Sequence, residues 1–403
     1  MRVLILGIDG YLGWPLALHL MNKGHKVSGL DNFVRRKRVF ELGSDSLTPI
    51  CEFGERLSIL RSIDSDFAFE HFSLGAGLHK QLRHILDDFQ PECIVHLAEQ
   101  PSAPWSMADV ESACETQHEN IIGTLELLWA MKAKCPEAHL LKLGTMGEYG
   151  TPNCDIPEGY IPKRCLNSHI DELCPMGGLQ FPRKAGSWYH LTKVHDTFNV
   201  IFACNTWGLC STDIMQGPVY GVSIPDMKDE EHLTRFDYDE CFGTVINRFC
   251  VQALLGHPLT VYGAGGQTRG YLPLKDSINC MTLAIENPPT PGEYRVFNQF
   301  ESFYSVNELA DLVAEAASSF GYETEVAHFE NPRKEMEQHY YKSSNKNLLD
   351  LGYVPTKDIL NEIKILIQDL EPYIDRIKQN VIVPAIRWDL SHRRSQIIKE
   401  EEV

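Results

Sequence analysis

Over the first half of the chain, short uninterrupted apolar runs alternate with longer segments whose apolar positions recur every three or four residues. The runs at residues 3–6, 26–30, 93–97, 139–143 and 209–215 are each bounded by turn residues, the pattern of strands buried on both faces. Residues 14–21, closed by Gly24, and 121–134 carry the helical period. This alternation predicts a parallel sheet covered by helices on both faces. The second half reads differently. Ser305-Val306-Asn307-Glu308 is a capping box that opens a helix to about Phe320, with Gly321 placed to end it. Another amphipathic helix is expected near 358–370, and the charged end from Arg393 onward reads as a frayed tail. Residues 221–247 are rich in Asp, Glu and aromatics and lack the parallel-sheet rhythm. No repeat of 20–50 residues is present, which excludes solenoids and propellers.

Composition narrows the classes of function. The 403 residues carry 37 Lys and Arg against 55 Asp and Glu, a formal charge of −18. That sign opposes binding to nucleic acid or an anionic membrane, since a phosphate surface needs a cationic partner. A local basic pocket for an anionic small molecule stays compatible with it. The 12 cysteines are irregularly spaced and include no C-x-x-C, so reduced thiols are expected rather than a disulfide framework. No apolar run approaches the roughly 18 residues that span a bilayer, and Met1-Arg2 leads straight into the first strand without a signal-peptide pattern. The expected location is the cytoplasm.

Gly7-Ile8-Asp9-Gly10-Tyr11-Leu12-Gly13 joins the first predicted strand to the first predicted helix. Glycine suits this turn because a side chain would keep the backbone away from a pyrophosphate, which the helix N-terminus then binds. Asp31 ends the second predicted strand, where a carboxylate accepts hydrogen bonds from ribose hydroxyls and repels a 2′-phosphate. The expected cofactor is NAD rather than NADP. The run Arg35-Arg36-Lys37-Arg38 reads as a solvated basic loop, with one Arg stacking near the adenine. The fold class is therefore α/β: a Rossmann-type doubly wound parallel sheet with a smaller α/β C-terminal substrate-binding domain. Residues 1–220 are expected to form the NAD-binding domain, taking in part of 243–290, and 221–403 mainly the discontinuous second domain.

Tyr189 and Lys193 stand four apart on a predicted helix, so their side chains share a face. A phenol titrating near ~10 is a poor base at neutral pH, and a cation within a few Å is expected to bring it into range. With Thr145 at the end of a strand and the glycine motif upstream, these residues resemble the extended short-chain dehydrogenase/reductases acting on nucleotide sugars. Further motifs narrow the resemblance to the UDP-sulfoquinovose synthase family of that group. They are the segment from Leu143 to Asn153, Asp31-Asn32, Glu99-Gln100 with Ser102-Ala103-Pro104, and Gly265-Gly266-Gln267-Thr268-Arg269-Gly270. Asn331-Pro332-Arg333 followed by Glu337 and His339-Tyr340-Tyr341 completes the set.

The resemblance implies UDP-glucose and sulfite as substrates, bound NAD, and a homodimer. It implies that Tyr189, aided by Thr145 and Lys193, drives oxidation at C4′, that Glu148 or His190 removes the C5′ proton, and that sulfite adds at C6′ after water leaves. It also implies a cofactor site of Gly7, Asp9, Gly10, Tyr11, Leu12, Gly13, Asp31, Asn32, Arg35, Leu97, Ala98, Glu99, Asn120, Tyr189, Lys193 and Val219. The implied substrate site holds Gln100, Thr145, Gln216, Arg235, Thr260, Tyr262, Gln267, Arg269 and Arg333, the two last gripping the diphosphate. Three features depart from the family. Pro101 replaces an Arg, Leu74-Gly75-Ala76-Gly77 stands where an acidic residue lies by the adenine, and the loop before Tyr189 is longer. That loop carries Cys154, Cys165, His169 and Cys174, whose spacing fits no common zinc pattern, and no metal is expected. A 4,6- or 5,6-dehydratase, a 4-epimerase, and a non-catalytic NAD sensor are the alternative functions. A sensor has no use for a hydroxyl base.

Overall fold

The computed structural model of the chain describes residues 1–161, 180–333 and 339–383, together with Ile386 and Trp388. In chain order the strands are β1 (Arg2–Leu6), β2 (Lys26–Asp31), β3 (Ala68–His71), β4 (Cys93–His96), β5 (His139–Thr145), β6 (Cys210–Gln216) and β7 (Val219–Tyr220). They continue as β8 (Leu259–Tyr262), β9 (Thr268–Pro273), β10 (Tyr294–Gln299), β11 (Ser302–Ser305) and β12 (Val326–Phe329). Seven of them form one parallel sheet in the order β10-β6-β5-β4-β1-β2-β3.

The five expected strands are the centre of this sheet, because apolar runs without a polar face have to be covered on both sides. The helices Gly13–Asn22 and Leu274–Glu286 cover one face, closing a core around Val3, Ile5, Leu16, Leu20 and Met281. The helices His79–Phe89, Gly123–Lys134 and Trp188–Trp207 cover the other, around Leu4, Leu6, Ile94, Leu127 and Val200. The sheet has two edge strands the sequence pattern did not predict. β3 is short and mostly exposed, and β10 comes from the second half of the chain. The helix Leu274–Glu286 also belongs to this layer, packing against the first helix.

The remaining strands form a three-stranded sheet, β11-β9-β7, and the pair β12-β8. They pack with the helices Val245–Leu254, Val306–Ser318 and Ile359–Leu370 around a third core that includes Phe249, Leu309, Val313 and Ile363. The Ser305 capping box is formed, with the Ser305 hydroxyl accepting the Glu308 N–H at 3.2 Å, and Gly321 has φ of 86°. Residues 221–247, without sheet rhythm, drape over the glycine turn. The Tyr11 hydroxyl donates to the Gly221 carbonyl and the Trp14 indole to the His232 carbonyl, each at 2.7 Å. Among the described residues no helix is long and apolar enough to cross a membrane. The tail from Arg393 lies outside the described residues.

Candidate active site

Strand order reverses between β4 and β1, and the carboxyl ends of strands diverge there into a crevice of about 1010 Å³. Both halves of the chain wall it. Its cofactor end is built on the glycine turn. A Cβ on Gly13 would lie 2.1 Å from the Gly7 carbonyl oxygen, and one on Gly7, at φ 86°, would lie 2.9 Å from the Leu97 carbonyl carbon. These two glycines thus let the turn fold on itself and on β4, more than they clear space for a ligand. The helix that follows has no side-chain cap and no acid in its first turn. Its N–H groups and positive dipole end remain for an anion, the donor set a dinucleotide pyrophosphate requires.

Asp31 stands at the far end of this wall. Its carboxylate accepts the Asp9 N–H at 2.8 Å and the Phe33 N–H at 2.7 Å. Burial, and then the neighbouring Asp9 charge, push its pKa up to about 6. The basic run after it is not a solvated loop but part of the helix Val34–Glu41, and three of its cations are committed to carboxylates. Arg36 grips Asp9 at 2.6 and 2.7 Å, and Arg38 grips Glu119 at 2.7 and 2.9 Å. Arg35 grips Asp237 at 2.9 Å and stacks 3.7 Å from the Phe242 ring centroid. None is left unpaired for a 2′-phosphate. Asp9, Gly10, Tyr11, Leu12, Asn32, Leu97, Ala98, Glu99 and Val219 line the same end.

The reacting groups converge where β5 ends and the long helix Trp188–Trp207 begins. Ser187 caps that helix, and the Tyr189 N–H donates to the Ser106 hydroxyl at 3.0 Å. Thr145, Tyr189, His190 and Lys193 all line the crevice, and Thr145 is close enough to the phenol of Tyr189 to ease its ionisation. The expected coupling of Lys193 to the phenol is not what the structure has. The Lys193 ammonium lies 2.5 Å from a Glu99 carboxylate oxygen and 2.6 Å from the Leu143 carbonyl, with the Tyr189 ring centroid 5.9 Å away. Burial, then Glu99 and Glu148, raise the Tyr189 pKa instead of lowering it. Burial works against the Glu99 carboxylate too, but Lys193, His96 and Lys142 together hold that group below its ordinary value.

The two candidate C5′ bases part company. Glu148 is fully buried behind the wall, with its carboxylate 3.2 Å from the Thr197 hydroxyl and 3.8 Å from the Arg183 guanidinium. His190 is on the wall, its imidazole packed on Gly147, where a Cβ would sit 2.3 Å from Nε2. Burial, and then the fields of Arg269 and Arg333, lower the His190 pKa to about 3, so the ring is neutral.

Gln100, Gln216, Thr260, Tyr262, Gln267, Arg269 and Arg333 line the substrate end. Two more expected site residues stand off the wall. Asn120, turned inward by a π-helical turn at His118–Ile122, donates to the Thr192 hydroxyl at 2.8 Å and accepts the Gln100 N–H at 2.8 Å. It therefore ties the helix Trp188–Trp207 to the segment after β4. Arg235 is buried, bidentate to Asp237 at 2.9 Å, and serves the Arg35 cluster rather than the crevice. Cys154 is exposed, while Cys165, His169, Cys174 and Glu337 lie outside the described residues.

Sequence reading missed Arg248, which lines the substrate end with its guanidinium 5.5 Å from the Tyr262 ring centroid. It also missed the buried Lys142–Asp213 pair, 3.2 Å apart on register partners of β5 and β6. A lone Lys and a lone Asp in two otherwise buried strands were the available signal.

Fold and crevice together define an NAD-dependent enzyme of nucleotide sugars. The profile of the NAD dependent epimerase/dehydratase family matches residues 3–168. The UDP-glucuronic acid 4-epimerase of Bacillus cereus, solved with UDP-glucuronic acid and NAD, superposes with a TM-score of 0.67 at 19% identity, over 94% of this chain and 100% of that one. That likeness concerns the fold. Sequence identity goes further: 46% over 99% of this chain and 99% of the UDP-sulfoquinovose synthase of Sulfolobus acidocaldarius. It is 45% over 96% of this chain and 79% of the chloroplastic UDP-sulfoquinovose synthase of Spinacia oleracea. The chain belongs to the UDP-sulfoquinovose synthase family, within the NAD-dependent epimerases and dehydratases.

Proposed function

We propose that the chain converts UDP-glucose and sulfite into UDP-sulfoquinovose, with Tyr189 and His190 as its two proton-transfer residues. The observation that carries this reading is the placement of Thr145, Tyr189 and His190 on one wall, between a dinucleotide cradle and the arginine-lined end. Arg248, Arg269 and Arg333 hold the diphosphate, for which bidentate guanidinium contacts are suited. Tyr189 takes the proton of the C4′ hydroxyl, and Thr145 shares the hydrogen bond. NAD, when bound, supplies the acceptor for the C4′ hydride and gives that hydride back at the end of turnover. The 4-ketone acidifies C5′, and Nε2 of His190 removes that proton. The imidazolium then protonates the departing C6′ hydroxyl, which leaves as water; Met146 stands where a carboxylic acid would otherwise do this. The sulfur lone pair of hydrogen sulfite adds to C6′, its proton passes to C5′, and Tyr189 returns its own proton to the C4′ oxygen.

Pro101 lines the crevice and brings neither charge nor N–H to it. On this reading sulfite capture does not depend on a cation at that position. Product mass after incubation with a panel of UDP-sugars, with and without sulfite, is the test. A sulfonated product from UDP-glucose at ordinary sulfite levels is expected. Dehydrated product alone would move the chain to the dehydratases, and no product with any sugar would favour a sensor.

The same proposal includes a homodimer. Leu125 and Trp129 on the helix Gly123–Lys134, with Leu191, Phe198 and Phe202 on the adjoining helix, form an exposed apolar face. A second copy of the chain covers such a face symmetrically, each helix pair packing on its equivalent. Ten free cysteines among the described residues suit a reducing compartment, and the cytoplasm is the proposed site of action.

A further inference from the structure

Ser187 does more than start a helix. Its hydroxyl oxygen lies 3.2 Å from the His190 backbone nitrogen, whose N–H it accepts, and 3.0 Å from Nδ1 of the His190 ring. The ring is clamped besides by Gly147 and by the Tyr189 ring, with centroids 5.1 Å apart. Among the described residues Nε2 has no hydrogen-bond partner, and it packs on Gly147, itself a residue of the crevice wall.

We propose that Ser187 is a positioning residue for the C5′ proton transfer: its oxygen accepts Nδ1–H of His190 and fixes the tautomer whose bare Nε2 faces the sugar. This rests on the assignment of His190 as the C5′ base. The Ser187 oxygen has two lone pairs and can accept the ring N–H beside the backbone N–H. The direction follows from the proposed role: a base at Nε2 needs its lone pair there, and the ring proton then sits on Nδ1.

Two variants separate this role from helix capping. Ser187→Gly keeps an acceptable N-cap but removes the oxygen, and Ser187→Thr keeps both. With UDP-glucose and no sulfite, solvent deuterium uptake at C5′ is expected to fall about 10- to 100-fold in Ser187→Gly. Reduction of the bound cofactor and KM for UDP-glucose should stay within about twofold, and Ser187→Thr should restore uptake. Equal losses in cofactor reduction and deuterium uptake, or no loss at all, would overturn the proposal. Nitrogen-15 NMR of histidine-labelled protein provides a readout independent of turnover. His190 should be protonated at Nδ1 in the native chain and shift toward Nε2 in Ser187→Gly. A native ring protonated at Nε2 contradicts the proposal whatever the kinetics show. Cofactor reduction absent in the native protein would instead count against the wider reaction, and the tautomer result would still stand or fall by itself.

Discussion

At the scale of single residues, the chemistry depends on a phenol and a carboxyl that burial has shifted away from convenience. Tyr189 is harder to ionise than a free phenol because burial and the carboxylates of Glu99 and Glu148 all oppose a phenolate. It is accordingly protonated in the ligand-free protein, and it can take the C4′ proton only as the phenolate, which the positive charge of a bound NAD would favour. Replacing Tyr189 with Phe should slow cofactor reduction by UDP-glucose by about 10²- to 10⁴-fold while UDP affinity, measured by calorimetry, changes little. Retention of most activity would put the base elsewhere. Asp31 carries a pH prediction. Its pKa of about 6 lies above the ordinary carboxyl value, so the ionised form, which we propose accepts the ribose hydroxyls, is present above pH 6 and is lost as pH falls through it. The affinity of cofactor-stripped protein for NAD should be flat from pH 7 upward and about tenfold weaker at pH 5. A titration showing no such fall would remove Asp31 from the ribose site.

At the scale of elements, what the sequence made readable was whatever a local rule decides. Continuous apolar runs marked the five central strands, and Ser305 with Glu308 marked the start of their helix, since both signals lie within a few residues. β10 was not readable, because it is recruited across the chain and its neighbour β6 lies about eighty residues earlier. The site follows the same division. Gly7, Gly13, Thr145, Tyr189 and Lys193 sit in local motifs, whereas the partners of Lys193, Arg35 and Arg36 are set by tertiary contacts with Glu99, Asp237 and Asp9. That is why a free basic loop was expected where three guanidiniums are in fact engaged. The glycine turn shows how tightly these elements meet. Gly13→Ala would drive a methyl into the Gly7 carbonyl 2.1 Å away, and neither atom belongs to a flexible side chain. A loss of about 1–3 kcal/mol in denaturant unfolding, with loss of copurified NAD, is expected; an unchanged midpoint would contradict this view of the turn.

At the scale of the whole molecule, three sheets and three cores converge on one crevice, with residues from both halves of the chain on its walls. The exposed apolar face of the helix pair Gly123–Lys134 and Trp188–Trp207, with Trp129 and Phe202, does not line it and is available for self-association. Phe202→Glu, placing a charge in the exposed apolar face, should convert a dimer to a monomer in sedimentation equilibrium without changing the fold. An unaltered dimer would place the interface elsewhere. The central claim is that a single crevice oxidises C4′, eliminates and adds across C5′ and C6′, and restores C4′ before anything leaves. UDP-glucose deuterated at C4′, turned over with sulfite and a stoichiometric amount of NAD, tests this most directly by NMR and mass of the product. The account predicts a C6′-sulfonated UDP-sugar that retains deuterium at C4′, because the same hydride that was taken is returned. Loss of that deuterium, or its retention in a product without sulfonate, would contradict it.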